Sequence, residues 1–348
     1  MRTTLRRPLV TVGITTYDEA ENIARCLASV QTQTLGAGQI EVLIADDGST
    51  DQTLSIARSF RRAAGWANFR ILRQRNTGNA STGRNRIIEK AAGTYLFLMD
   101  GDDYLGPEAL AAMTRSARKH RSDVVSGRYV GVDRSAPNPL GVEDLPERHE
   151  YHPGWLNSLH IQKLFRTRFL CGLDYRFNPK LNYANDHPFM ISALLNARRI
   201  SFVHDVDCYF ITLAGTGAHV SRASLPPVQQ LRFLHDCFGL LAMARGQGGR
   251  KAQLAGKIRA DYWNRLLKLH LPMLLLRKTD EAEAGALAEA AANLAEIYGA
   301  QTSRSRLAPG AQKMLEALRT GDGAAAVSTA REVREEASQR PEGAQPLT

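Results

Sequence analysis

The sequence predicts an α/β fold, a mostly parallel central sheet flanked by helices, followed by an α-helical C-terminal region. Through Met99, short β-branched or apolar runs alternate with helical stretches. Beyond Pro227 the chain turns Ala-, Leu- and Arg-rich with helical periodicity. The 348 residues exceed the usual size of one domain. The expected division is an α/β domain over 1–225, a helical region over 226–338 and a disordered tail over 339–348.

Leu9 to Ile14 reads as the first strand, and Glu19 to Gln33 as a helix with Ile23, Leu27 and Val30 at helical spacing. Ile40 to Ala45 is the second strand. Ser49 or Asp51 then caps a helix running through Phe60 by accepting a backbone hydrogen bond. Phe69 to Leu72 is the third strand, and Ser81 to Ala92 the next helix. Tyr95 to Met99, almost wholly apolar, reads as a central strand. A strand pair is expected over Asp123 to Val132 and a loop covering the site over Ser135 to Pro153, which is rich in Pro and Glu.

Composition narrows the function classes. The formal charge of +10 favours anionic partners, among them nucleotide diphosphates, phosphate-bearing acceptors and acidic lipid surfaces. Nucleic acid is not expected, because aromatics make up 7% and no basic run is interleaved with them. Four cysteines without a repeated short spacing argue against a zinc site or a disulfide framework, and fit a reduced, cytoplasmic setting. The most apolar later stretch, Leu266 to Leu276, is broken by Lys268, His270 and Pro272, so no membrane span is expected. Ile258, Tyr262, Leu266 and Leu269 recur at helical spacing, which suits packing within the chain, contact with a second copy or peripheral contact with a membrane.

Asp100-Gly101-Asp102-Asp103 follows the most buried strand, which places its carboxylates at the carboxyl edge of a parallel sheet, where such folds bind ligands. Two acidic side chains two positions apart suit Mg²⁺ or Mn²⁺ bound together with a sugar nucleotide, although a bare Asp-x-Asp is also a common solvated turn. Strand two ends in Asp46-Asp47-Gly48-Ser49-Thr50-Asp51, where a carboxylate can accept the N3–H of a uracil ring or serve only as turn and cap. Between strands three and four, Arg75 to Asn85 holds Gly78, whose turn can approach a phosphate. Arg84 is the candidate diphosphate clamp there, or else a solvent-facing helix arginine.

Taken together, Thr15-Thr16-Tyr17-Asp18-Glu19, Asp46 to Asp51, Gly83-Arg84-Asn85 and Asp100 to Asp103 resemble the family-two glycosyltransferases over roughly residues 8 to 220. The resemblance implies the Rossmann-like GT-A fold and inverting sugar transfer from a nucleotide-diphosphate sugar, with UDP favoured. It implies that Thr16, Tyr17 and Glu19 line the nucleoside pocket, Asp46 pairs with the base, Arg84 supports the diphosphate, and Asp100 with Gly101 faces the ribose. It also assigns Asp102 to the metal.

Inverting transfer needs a carboxylate that takes the acceptor hydroxyl's proton. Asn185-Asp186-His187-Pro188-Phe189 sits where the family carries a Glu-Asp-x-x-Phe motif, so the base is assigned to Asp186, which can also cap the following helix. Asn185 departs from the usual glutamate and bears on the acceptor class. His219 resembles a family loop that completes the metal shell, and Arg222 in the same loop is a candidate phosphate contact. The expected partners are therefore a UDP-sugar donor and a glycan, lipid-linked or small-molecule hydroxyl acceptor, in the cytoplasm or at the inner membrane face.

A dinucleotide dehydrogenase is disfavoured because strand one is followed by Thr15 to Glu19 rather than Gly-x-Gly-x-x-Gly. A nucleotidyltransferase would carry a Gly-rich basic loop at the same place. The remaining alternative is a relative that binds nucleotide sugar without transferring it.

Overall fold

The computed structural model describes residues 7–136, 138–139, 151–212, 225–278, 280–300 and 305–338. The chain divides into two units, Met1–Glu150 with His160–Arg222, and Tyr151–Leu159 with Ala223–Thr348. The sequence places one boundary near 225. The structure differs in assigning Tyr151–Leu159, inside the expected first domain, to the second unit.

The first unit holds an eight-stranded mixed sheet among the described residues. Strands β1 (Val10–Thr16), β2 (Ile40–Asp46), β3 (Phe69–Arg73) and β4 (Tyr95–Asp100) run parallel in the order β3-β2-β1-β4. The sheet continues through β7 (Leu164–Arg166), β6 (Val124–Val132), β8 (Ile200–Thr212) and β5 (Tyr104–Leu105). Asp123 to Val132, expected to form a strand pair, is a single strand. Its partners are the distant β7, antiparallel, and β8, parallel. Short strands such as β7 and β5 offer too few residues for a period to be read.

β1 and β2 are buried along their whole length because helices cover both faces. On one face Val10, Val12, Ile14, Val42, Ile44, Phe97 and Met99 join Ile23, Leu27 and Val30 of α1 (Ile23–Gln31) and Met113 of α4 (Ala109–Lys119) in a single core. On the other, α3 (Ser81–Lys90) lies so close that a Cβ on Gly13 would fall 2.3 Å from Ile87 Cγ2. Helix α2 (Thr53–Ala64) follows β2.

Helix α1 starts four residues later than its periodicity suggests. Side chains of the neighbouring loop hold the preceding residues: Glu19 N donates to Thr53 Oγ1 (2.7 Å) and Ala20 N to Asp51 Oδ2 (3.0 Å). Asp51 also accepts from Thr53 N at 2.9 Å, but the cap position of α2 is Gln52, which makes no side-chain cap bond, so neither expected residue is the cap itself. Helices α5 (Thr167–Cys171) and α6 (Asp186–Asn196) complete the described part of the first unit.

The second unit is helical: α7 (Pro227–Leu231), α8 (Phe233–Gly246), α9 (Gly249–Arg265), α10 (Leu271–Leu275), α11 (Glu281–Ile297), α12 (Pro309–Arg319) and α13 (Gly323–Ser338). A π-helical turn over Leu266–His270 joins α9 to α10 just before Pro272, whose missing N–H breaks the regular ladder. Ile258, Tyr262 and Leu266 are completely buried in this unit. Packing within the chain therefore takes three residues of the stripe, and Leu269 is half-buried. No helix among the described residues is long and apolar enough to cross a membrane.

Candidate active site

The parallel register brings three strand ends to one level: Thr16 pairs with Asp46, and Thr15 with Asp100. Two of the resulting side chains have an unanswered polar atom. Asp46 is completely buried, its Oδ2 accepting from Gly48 N (3.2 Å) and Ser49 N (3.3 Å), while Oδ1 has no partner. Thr16 Oγ1 is likewise buried without a partner. Buried polar atoms are almost always satisfied, so two orphans side by side at a sheet edge call for a ligand with a hydrogen-bond donor.

The loops around this edge are tied to one another. Asp47 accepts from Gln74 Nε2 (2.7 Å), Thr77 Oγ1 (2.9 Å) and Thr77 N (3.0 Å), which joins the turn after β2 to the turn after β3. Gly48, at φ +86°, lies against Asn76 N, leaving no room for a Cβ. Asp18 takes the left-handed region at φ +50°, held there by its carboxylate, which accepts from Thr50 N (2.7 Å) and Asp51 N (3.3 Å). Next to it the Tyr17 ring is 46% exposed. Gly78 has φ +82° with open space where a Cβ would stand, so its glycine answers to backbone conformation.

Asp100 is gripped on both oxygens. Oδ1 accepts from Thr15 Oγ1 (2.9 Å) and Arg84 Nη2 (3.0 Å), and Oδ2 from Gln162 Nε2 (2.8 Å). Burial alone would raise its pKa, but the Arg84 charge and these donors hold it below the usual aspartate value. Gly101 packs against β1, where a Cβ would sit 3.0 Å from Thr16 Oγ1.

Arg84, buried on α3, reaches past Asp100 to Asp186 at the start of α6, with Nη1 donating to Asp186 Oδ1 at 2.7 Å. The same nitrogen donates to Asn185 Oδ1 (3.1 Å), and Asn185 Nδ2 donates to Ser81 Oγ (3.0 Å). Asn85, one residue on, donates to Phe177 O (2.8 Å) and accepts from Phe177 N (3.0 Å), and the Phe177 ring stacks on Phe189 of α6. Arg84 and Asn85 thus attach the segment that bears Asp186 to α3. Burial raises the Asp186 pKa, Arg84 pulls it down, Asp100 raises it and Lys163 lowers it, with burial prevailing. Lys163 is itself buried and brought down to about 7, and its Nζ donates to Tyr129 Oη (3.0 Å) and His160 O (2.6 Å).

Asp103 has a structural task. Its Oδ2 accepts from Tyr209 Oη (2.8 Å) and its Oδ1 from Thr212 N (2.8 Å), which fastens the turn to β8. Burial, with Asp102 and Asp100 beside it, pushes Asp103 up to about 8. Burial likewise pushes Glu19 up to about 7, against the Asn22 amide and with Asp102 and Asp100 adding to the rise.

Among the described residues no three His, Cys, Asp or Glu side chains are grouped to hold a metal ion. Asp100 gives both oxygens to protein donors; Asp102 is the candidate ligand that the resemblance assigns. One carboxylate fits Mg²⁺ or Mn²⁺ only if substrate phosphates and water supply the other ligands, as is usual for such cations. His219 and Arg222 lie outside the described residues. The sequence reading did not single out Thr15, Gln162 or Tyr209. A polar residue one position before Lys163-Leu164-Phe165-Arg166, and a tyrosine in the short apolar run Cys208 to Ile211, were the local signals for Gln162 and Tyr209.

Comparisons with known proteins agree with this geometry. Residues 11–171 match the family described as glycosyl transferase family 2. A poly(ribitol-phosphate) beta-glucosyltransferase of Bacillus spizizenii is 28% identical over 70% of this chain and 38% of its own length. The poly(ribitol-phosphate) beta-N-acetylglucosaminyltransferase TarS of Staphylococcus aureus is 32% identical over 62% of this chain and 37% of its own. The chain thus spans less than two fifths of the length of these curated relatives. The crystal structure of S. aureus TarS 1–349 in complex with UDP-GlcNAc superposes with a TM-score of 0.80 at 24% identity, covering 97% of this chain and 99% of that one. With the motifs at the strand ends and the matched residues in accord, residues 11–171 match glycosyl transferase family 2, and the chain has the GT-A fold.

Proposed function

We propose that this protein is an inverting, metal-dependent glycosyltransferase that moves a sugar from a UDP-sugar to a hydroxyl of a polyol-phosphate polymer. The observation that carries the reading is the shared guanidinium of Arg84, which joins the donor-side carboxylate Asp100 to the buried carboxylate Asp186. An inverting transferase needs a nucleotide site and a base in one place, and this contact supports that pairing. The unpartnered Asp46 Oδ1 and Thr16 Oγ1 support a uridine, whose N3–H is a donor. UDP-GlcNAc in the TarS complex, and the glucosyl and N-acetylglucosaminyl activities in the relatives' names, support UDP-glucose or UDP-GlcNAc. The poly(ribitol-phosphate) in those names supports the acceptor class, and the net charge of +10 suits a polyanion.

In this reading Thr16, Tyr17, Glu19 and Asp46 hold the nucleoside, and the Gly78 turn stands by the diphosphate. Asp100 and Gly101 border the ribose, and Asp102 carries Mg²⁺ or Mn²⁺, with His219 and Arg222 as further contacts. A bound cation would neutralise charge on the departing diphosphate. Asp186 accepts the acceptor hydroxyl's proton as that oxygen attacks the anomeric carbon and the bond to the diphosphate breaks. A pKa above the usual aspartate range makes Asp186 a stronger base than an exposed aspartate. We place the reaction in the cytoplasm, with the polymer presented at the inner membrane face.

The test is transfer from UDP-GlcNAc and UDP-glucose to poly(ribitol phosphate), with and without Mn²⁺, by the unmodified protein and by Asp186→Asn. Asp186→Asn is expected to lower the transfer rate by ~10²–10⁴-fold with UDP affinity retained. UDP binding without transfer by the unmodified protein to any hydroxyl acceptor would instead favour a nucleotide-sugar-binding relative.

A further inference from the structure

We propose that Arg84 is the positioning residue for proton removal, a single guanidinium that aims Asp186 and ties its charge to the donor-side Asp100. This rests on the glycosyl-transfer reading above. The sequence directs Arg84 to a donor diphosphate, but the geometry engages its fork elsewhere. Nη2 donates to Asp100 Oδ1 (3.0 Å), and Nη1 to Asp186 Oδ1 (2.7 Å) and Asn185 Oδ1 (3.1 Å). The Phe177 ring lies 5.4 Å from the guanidinium carbon. Only Nε lacks a partner, and it is buried. Both Nη1 hydrogens and one Nη2 hydrogen are taken, so a phosphate oxygen spanning the Nη1/Nη2 edge would have to displace a carboxylate, and a buried carboxylate left without its counter-ion is strongly unfavourable; the second Nη2 hydrogen alone could meet a phosphate with both carboxylates in place.

The charged groups facing Asp186 come from three elements: Arg84 from α3, Asp100 from the end of β4 and Lys163 from the segment before β7. Asp100 opposes ionisation of Asp186, and the two cations support it. Lys163 is brought down to about 7 by burial, so its help fades above neutrality, whereas an arginine stays charged at any working pH. Arg84 is therefore the lasting support of the Asp186 carboxylate. Asn185 fits the same arrangement. The family's glutamate here would set a third carboxylate on one guanidinium, whereas the Asn185 amide accepts from Arg84 and donates to Ser81 without drawing on its charge.

The experiment compares the unmodified protein with Arg84→Ala and Arg84→Lys by calorimetry with UDP and by the pH profile of kcat/KM for transfer. Arg84→Ala is expected to lower kcat by ~10²–10⁴-fold and to move the acid limb up by about 1–3 pH units, as expected for loss of an opposite charge. UDP affinity should change by less than about tenfold. Arg84→Lys, which keeps the charge without the fork, should hold the limb near its original place while losing rate. UDP affinity falling as far as kcat with an unmoved limb would make Arg84 a donor clamp and overturn the inference. If Arg84→Ala does not fold, Arg84→Lys decides: lower kcat at unchanged UDP affinity supports the inference, and matched losses overturn it. A failure of the unmodified protein to transfer would remove the glycosyl-transfer reading itself. Transfer together with an Arg84→Ala limb at the wild-type pH would remove only the role of Arg84.

Discussion

Asp46 shows how much one side chain at a strand end can decide. Its Oδ2 holds the turn through Gly48 N and Ser49 N, and its buried Oδ1 has no partner. In Asp46→Asn the amide oxygen can keep the turn bonds, which puts the NH₂ where a uracil N3–H would also donate. UDP binding should weaken by ~1.5–3 kcal/mol, about tenfold or more in Kd by calorimetry, with little change in melting temperature. Asp186 sets a pH dependence of definite sign. Its folded pKa lies above the ordinary 3.8, so the protonated form stabilises the fold at low pH, and that contribution is lost as pH rises through the raised value. Activity moves the other way, because only the carboxylate accepts a proton. Transfer should therefore rise with pH over the window in which Asp186-dependent stability falls; melting curves of Asp186→Asn should lose that contribution and keep the falls of the same sign due to Glu19 and Asp103.

Helix α3 is the element on which the site is assembled. Gly13 and Gly83 let it lie flat on β1 and β2, Arg84 reaches two carboxylates, and Asn85 holds Phe177 by its backbone. Asn85→Ala would leave Phe177 N and O without these partners. The expected loss is about 1–3 kcal/mol of stability, read as a melting-temperature drop of about 2–4 °C per kcal/mol. Because Phe177 stacks on Phe189 in the helix that begins at Asp186, the same variant should lower kcat more than UDP affinity. The strand ends and the α3 motif were legible in the sequence because each is local. Asp103 was read as part of the ligand turn, but its two bonds to β8 make it a fastener, and nothing in its immediate neighbours announces a partner over a hundred residues away.

For the whole molecule, a turn in which protein donors hold Asp100 and Asp103, with Asp102 as the proposed cation ligand, predicts that the cation and the nucleotide assist each other. Mn²⁺ should bind weakly to the protein alone and more tightly when UDP is present, with UDP affinity raised by Mn²⁺ by the same factor. Paramagnetic resonance of free Mn²⁺, titrated with and without UDP, checks this. Equal Mn²⁺ affinity in both titrations would mean a protein site that needs no phosphate. Chelation should accordingly depress transfer, and Mn²⁺ or Mg²⁺ should restore it.

The sequence by itself determined the alternation of strands and helices, the buried central strands, the helical second unit and the order of motifs along the chain. Each of these is a local pattern, a period of two or 3.6 residues or a turn beside a strand, and needs no knowledge of distant neighbours. Tertiary structure alone decided what the motif residues hold. Arg84 meets Asp186 across 102 residues, Gln162 meets Asp100 across 62, and Tyr209 meets Asp103 across 106. Those partnerships follow from strand order, in which β4 lies beside both β1 and the late strand β7, and no local period encodes that order. Hence an arginine legible as a phosphate ligand is found linking two carboxylates, and of an apolar stripe that suited internal packing, a second copy or a membrane, three residues lie in the core of the second unit.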